Sequence, residues 1–354
     1  MKIKLLFIDD PLEPVGGGQR SLLALLEGLN RQRFEPSVIL SREGEFARIL
    51  RESRIPISII KLKDLFQEIG RRKPDLIHCN AATNKYAFIA ALGAKFFNIP
   101  FVWHVRVIDS AGWRDHIMAS LSTKIIVISE AVRGKIRGPQ NQKKMIKIYN
   151  CVTGEFHHDD DRKKMRREFG WEDNVWVVGV FSRLDPWKGH SLFLEVANLL
   201  VKSLPDSRFL IVGDGPPEYK QALEKLVNQH HLESKTVFTG FRRDIPRLMN
   251  MCDVVVNLSV TPEPFGRTII EAMSCQIPVV ATNMGGPTEI ISNGEDGFLT
   301  PPSPEELAAA VEKLRRDPVL YQKIVRNAYQ KVLNYFTLDR HIAAVENIYS
   351  QILN

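Results

Sequence analysis

Short runs of branched and aromatic residues alternate with stretches of helical period, and the alternation occurs twice. In the first half the strand-like runs are residues 3–9, 36–40, 57–60, 75–80, 101–105, 124–129 and 146–150. Helix-like segments such as 17–32 and 84–98 lie between them. Near-continuous apolar strands separated by helices specify a parallel sheet covered on both faces. Residues 151–173, "CVTGEFHHDDDRKKMRREFGWED", break the pattern. They are charge-rich and lack a sustained apolar run, so they read as a linker followed by a surface helix. The alternation then restarts at 175–182, 208–214, 236–240, 253–259, 278–283 and 297–300, with helix candidates at 189–204 and 217–231. Three helix-like segments end the chain. The expectation is an α/β protein of two Rossmann-like domains in series, 1–152 and 174–335, joined by 153–173. Ligands of such sheets bind beyond the carboxyl ends of the strands. Two such domains facing each other would form a cleft, the default place for an active site.

A chain of 354 residues, 44% of them hydrophobic, is long enough for two cores. No apolar run has the length to cross a bilayer. The start, "MKIKLLFIDDPLEP", has the lysines and apolar run of a signal peptide, but two aspartates end that run, and it reads as a first strand. Cys79, Cys151, Cys252 and Cys275 show no paired spacing, which favours free thiols in a reducing cytoplasm over a zinc site. The net charge of +7 divides into +11 for residues 1–150 and −4 for the remainder. The basic half calls for an acidic partner, such as an anionic membrane surface or a phosphorylated acceptor. Arg48–Arg54 with Lys61 and Lys63, and Arg133–Lys147, are the candidate patches. Nucleic acid is disfavoured, because the basic residues are dispersed and no nucleic-acid motif accompanies them.

The candidate site residues follow strands. "PVGGGQRS" (14–21) opens a helix, and Gly17 and Gly18 let the backbone approach an anion at its N-terminus. The run is neither a Walker A nor a dinucleotide fingerprint. "VFSRLDPWKGH" (180–190) holds the corresponding place in the second half. Its Arg183 and Lys188 suit a diphosphate, or are two solvated loop cations. Gly215 in "IVGDGPPEY" and Phe241 in "FTGFRRDIP" follow two further strands. In "TPEPFGRTIIEAMSC" (261–275), Glu263 precedes Pro264 and so is extended. Gly266 permits a tight helix entry, with the N–H groups of Phe265, Gly266 and Arg267 at its mouth. Glu271 lies one turn after Arg267 and is a good acceptor for sugar hydroxyls. His104, in "WHVR", ends a strand and either touches a ligand or is a core residue. Gly285-Gly286 forms another possible point of close backbone approach. No metal-ligand spacing is present.

Taken in order, "GGGQR", "SRLDPWKG", "VGDGP", "TPEPFGRTIIEAMSC", "NMGGPTEII" and "NGEDGFL" resemble the family 4 retaining glycosyltransferases of the GT-B fold. The resemblance spans nearly the whole chain and is most specific over 175–302. It implies Glu263 on the donor sugar, Glu271 on the nucleotide ribose, and Arg183 and Lys188 on the diphosphate. It places the backbone of Phe265, Gly266 and Arg267 near sugar and phosphate, and the base near Phe241 and Gly215. Gly17 and Gly18 would meet the donor phosphate or the acceptor, and His104 the donor sugar. Ser182 departs from the family's usual glycine. The "WHVRVIDS" segment also departs, at the acceptor side. The implied reaction moves a sugar from a UDP- or GDP-sugar to a glycan or lipid-linked acceptor, with retention and with no metal or other cofactor. The enzyme would be cytoplasmic, peripheral at the inner face of the membrane. The final helix, 336–354, would pack back on the first domain. The alternatives are a nucleotide-sugar epimerase of the same architecture and a non-catalytic sugar-nucleotide binding module.

Overall fold

The computed structural model describes residues 2–11, 15–159 and 161–353; Pro14 of the glycine-rich run lies outside them. The chain forms two compact units, Met1–Cys151 with Thr337–Asn354, and Val152–Phe336. In the first, the strands are β1 (Ile3–Asp9), β2 (Phe34–Leu40), β3 (Ile57–Ile59), β4 (Leu76–Cys79), β5 (Phe101–Val105), β6 (Lys124–Val127) and β7 (Met145–Lys147). They make one parallel sheet in the order β3-β2-β1-β4-β5-β6-β7. The second unit holds β8 (Trp176–Phe181), β9 (Ser207–Val212), β10 (Thr236–Phe238), β11 (Val254–Asn257), β12 (Val279–Thr282) and β13 (Phe298–Thr300). Its parallel order is β10-β9-β8-β11-β12-β13. Every strand read from the sequence is present, with ends shifted by at most a few residues.

Both sheets reverse direction once, between β1 and β4 and between β8 and β11. A crevice opens at such a switch point, beyond the strand ends. Both faces of each sheet are covered, which is why Leu5–Ile8 and Val254–Val256 are buried without alternation. The helix Lys85–Phe96 starts on Asn84, whose side chain accepts from the Ala87 amide. Asp317 likewise starts Pro318–Tyr335 by accepting from Leu320.

The C-terminal helix, Leu338–Leu353, lies in the first unit, as expected. Its Ile342, Val345, Ile348 and Tyr349 join the core of Leu5, Phe7, Leu25 and Phe34. Residues 153–173 are not a linker. They belong to the second unit, with Phe156, Met165 and Trp171 buried. Within their helix, Arg162–Glu168, the guanidinium of Arg166 is buried against the Asp253 carboxylate at 2.6 Å and donates to the Met251, Asp173 and Val175 carbonyls. The first boundary therefore falls at 151/152 and the last at 336/337.

Candidate active site

In the second unit the candidate residues gather at the switch point. Lys188 ends a single 3₁₀ turn, Pro186–Lys188, after β8, and Glu263 lies in the loop after β11. Lys188 Nζ donates to Glu263 Oε2 at 2.6 Å, and Ser259 Oγ donates to the same oxygen at 2.7 Å. Lys188 also sits 3.8 Å from the centroid of the Trp187 ring. Both charged groups are largely withdrawn from solvent, at 19% and 9% side-chain exposure. An ion pair this sheltered interacts more strongly than a surface pair, because little water screens it. The loops are locked together by backbone. The Val260 amide donates to the Trp187 carbonyl, and a Cβ on Gly189 would lie 1.9 Å from the Leu258 carbonyl oxygen.

Arg183 is half exposed and pairs with Asp185 at 3.0 Å. Ser182 meets buried His190: Oγ and Nε2 are 3.1 Å apart. Burial pulls the His190 imidazole down to about 4. Phe265 is buried, and its ring packs edge-on against Phe336, so only its backbone is offered at the loop. Gly266, at φ +97°, caps the helix Arg267–Ser274, whose N-terminus carries a partial positive charge. Glu271 is buried one turn inside and accepts from Arg267 Nη2 at 2.8 Å. Glu263 and Glu271 thus hold separate cations and are not a pair.

Gly215 abuts the Leu184 carbonyl, and Gly213 donates to Gly240 at 3.1 Å. This places the turns after β9 and β10 side by side, with Phe241 46% exposed beside them. Gly285 and Gly286, read from the sequence as a point of close backbone approach, approach the chain itself. They pack on the backbone of Glu263 and Phe265, where added Cβ atoms would lie 2.4 Å away.

In the first unit, Gly17 and Gly18 form the first turn of the helix Gly17–Gly28 after β1, and Gln19 accepts from the Gly16 amide at 2.9 Å. Gly18 borders Arg106. Arg106 Nε donates to Asn80 Oδ1 at 2.6 Å, and its Nη1 to Asn150 Oδ1 at 2.7 Å. Asp9, at the end of β1, faces Asn80. Burial raises its carboxyl to about 7 against the lowering pull of Asn80 and Arg106. His104 is fully buried, and Arg106, two residues on, is the side chain that reaches the strand ends. Asp115 pins the loop after β5: it accepts from Ser110, Ala111 and Thr83 and pairs with buried Lys135 at 3.4 Å. Arg106, Asn80, Asp9 and Ser259 were missed. The signal for each is a polar residue just past an apolar run.

The description "Glycosyl transferases group 1" matches residues 161–331, and "Glycosyltransferase Family 4" matches residues 15–155. The chain is a family 4 glycosyltransferase. Its fold matches Anabaena HepE, solved with UDP, at a TM-score of 0.89 and 28% identity, covering 99% of this chain and 100% of that one. HepE with UDP-glucose matches at 0.88. Alpha-D-kanosaminyltransferase of Streptomyces kanamyceticus is 26% identical over 82% of this chain and 80% of its own. An Escherichia coli galactosyltransferase, which the name describes as acting from UDP-Gal on an α-D-GlcNAc-diphosphoundecaprenol, is 25% identical over 98% and 97%. This glycosyltransferase therefore has the two-Rossmann GT-B architecture over its whole length. Among its described residues no group of His, Cys, Asp and Glu is arranged to hold a metal, and no helix is long and apolar enough to cross a membrane.

Proposed function

We propose that the chain transfers a hexose from a UDP-sugar, with retention at the anomeric carbon, to a hydroxyl of a glycan or lipid-linked acceptor. The observation that carries this reading is the Lys188–Glu263–Ser259 constellation at the mouth of the second sheet. It sets a cation for a departing phosphate beside a carboxylate for sugar hydroxyls, both fixed before substrate arrives. Preorganised charge of this kind is the main protein contribution when no side chain acts as nucleophile. The bond from the anomeric carbon to the diphosphate breaks. The acceptor oxygen bonds on the same face, and its proton passes to a leaving phosphate oxygen. Arg183 and Lys188 take up the diphosphate charge without a metal. The Gly266 helix entry, Glu271 at the ribose, and Phe241 with Gly215 at the base complete the donor site. The full-length likeness to HepE, solved with UDP and UDP-glucose, supports uridine as the base.

A thermal-shift screen tests the donor, since a ligand that binds only the folded state stabilises it by mass action. UDP and UDP-sugars raise the melting temperature and GDP does not; the reverse order would overturn the choice of base. Lys188→Ala, folded and monitored by product formation, loses transfer by at least about a hundredfold. Turnover at the wild-type rate would remove the constellation from the mechanism, and an epimerised donor as product would replace the reaction.

The acceptor side is read as a membrane surface at the cytoplasmic face, a setting that four buried free thiols fit. The patches expected from sequence are partly neutralised: Arg48 pairs with Glu52, Arg51 with Glu43, and both Arg133 and Lys147 with Glu130. A better surface lies on the helices Leu62–Arg72 and Lys85–Phe96. Phe66, Phe96 and Phe97 cluster there with ring centroids 5.0–5.3 Å apart, and Phe96 is 73% exposed. Leu62 and Leu92 are exposed on the same two helices, and exposed Lys61, Lys63 and Lys95 belong to the same segments. Apolar side chains beside lysines suit an anionic bilayer. The protein cosediments with vesicles containing phosphatidylglycerol at low salt, and Phe96→Asp releases it. Equal binding by the variant would refute the placement.

A further inference from the structure

Three histidines of the first unit, His78 on β4, His104 on β5 and His341 on the C-terminal helix, lie in a buried row. Ring centroids are 5.3 Å apart for His78 and His104 and 6.4 Å for His104 and His341. The hydrogen bonds along this row fix where the protons are. Arg106 Nη2 lies 3.3 Å from His104 Nδ1. A guanidinium only donates, so His104 Nδ1 accepts. A neutral imidazole that accepts through Nδ1 carries its proton on Nε2. His78 Nε2 lies 3.2 Å from the same His104 Nδ1, so it donates and shares that lone pair. His78 Nδ1 is then an acceptor, and the Tyr349 hydroxyl donates to it at 2.7 Å. One chain of donation runs from Tyr349 on the C-terminal helix to the end of β5.

The chain ends on an unmatched donor. His104 Nε2 is buried and has no hydrogen-bond partner among the described residues. An orphaned buried donor is costly, so its retention calls for an explanation. Both rings are buried next to the Arg106 cation, which keeps them neutral. His104 is thus held with its one basic nitrogen already occupied.

We propose that Tyr349 and His78 are positioning residues, which lock His104 with Nε2 protonated and thereby make it a hydrogen-bond donor to a substrate oxygen rather than a base. This rests on the reading of His104 as a substrate contact and adds its direction. His104 Nε2 and the neighbouring Arg106 guanidinium are then both donors, a match for a hydroxyl or phosphate oxygen.

Nitrogen-15 spectra of histidine-labelled full-length protein, with His104→Gln to assign the signal, read the tautomer directly. The wild type shows His104 protonated on Nε2 at neutral pH. A signal protonated on Nδ1, or on both nitrogens, overturns the proposal whatever the donor sugar. Tyr349→Phe keeps the ring packed edge-on against Phe34 and removes only the hydroxyl. It shifts the His78 and His104 signals and lowers kcat/KM for UDP-glucose turnover roughly tenfold, the worth of one hydrogen bond. His104→Gln, which keeps an N–H, retains more turnover than His104→Phe. Unchanged signals and turnover in Tyr349→Phe would remove the positioning role. Should the wild type turn over no nucleotide sugar while Nε2 stays protonated, the functional reading fails and the lock stands.

Discussion

At Gly285 the backbone has φ +78°, and a Cβ there would lie 2.4 Å from the Glu263 carbonyl oxygen. Both facts forbid a side chain, and both concern the loop that carries Glu263. Gly285→Ala should destabilise the protein by more than about 2 kcal/mol, since strain and overlap add. It should also displace Glu263 from Lys188. Chemical denaturation together with donor affinity measures both; a variant as stable and as tight-binding as wild type would deny the packing role. The glycine pair was visible in the sequence, but not its purpose. A strand followed by two glycines looks the same whether a ligand or a neighbouring loop fills the space. Lys188 and Glu263 were each legible as polar loop residues. Their meeting at 2.6 Å was not, because 75 positions separate them.

At the scale of elements, the segment 153–173 shows how charge misleads. "RKKMRRE" has the composition of a solvated face, and that is the usual meaning of such a run. One of its cations, Arg166, is instead buried on Asp253, whose carboxylate also accepts from the Val177 amide of β8 at 2.7 Å. The helix is thereby fastened to the first strand of its unit. Removing one partner leaves the other charge buried alone, so Arg166→Ala should destabilise by about 3–5 kcal/mol. Lys163→Ala, at an exposed position of the same helix, should change stability by less than about 0.5 kcal/mol. Equal urea midpoints for the two variants would contradict this account. The regular elements were legible because burial on both faces leaves near-continuous apolar runs that few other arrangements require.

For the whole chain, buried histidines set the response to acid. Burial, aided by the Arg106 charge, lowers His78 to about 3 and His104 well below its usual range. Below about pH 6.5 the unfolded chain takes up protons that the folded chain refuses, so stability falls as pH falls. This contribution is complete above the unfolded value and is lost progressively toward pH 3. His190 in the second unit, at about 4, acts in the same direction. Asp9 opposes them. Raised to about 7, it stays protonated in the folded chain between about pH 4 and 7, so acidification over that window favours folding. Three histidines outweigh one carboxyl, and the melting temperature should drop from pH 7 to pH 4.5. His78→Phe should flatten the profile; a melting temperature that rises on acidification would contradict the balance.

The sequence by itself determined the two parallel sheets, their strand order of appearance, the glycine and cation loops after the strands, and the likeness to family 4 glycosyltransferases. Each is a local matter: periodicity, turn chemistry and short motifs act over fewer than about twenty residues. Only the tertiary structure decided which loop groups meet. It paired Lys188 with Glu263 and buried Arg166 on Asp253. It also enclosed His104 in a row of rings drawn from β4, β5 and the C-terminal helix. Contacts of this kind depend on where a parallel sheet delivers distant strand ends, and no local pattern carries that distance.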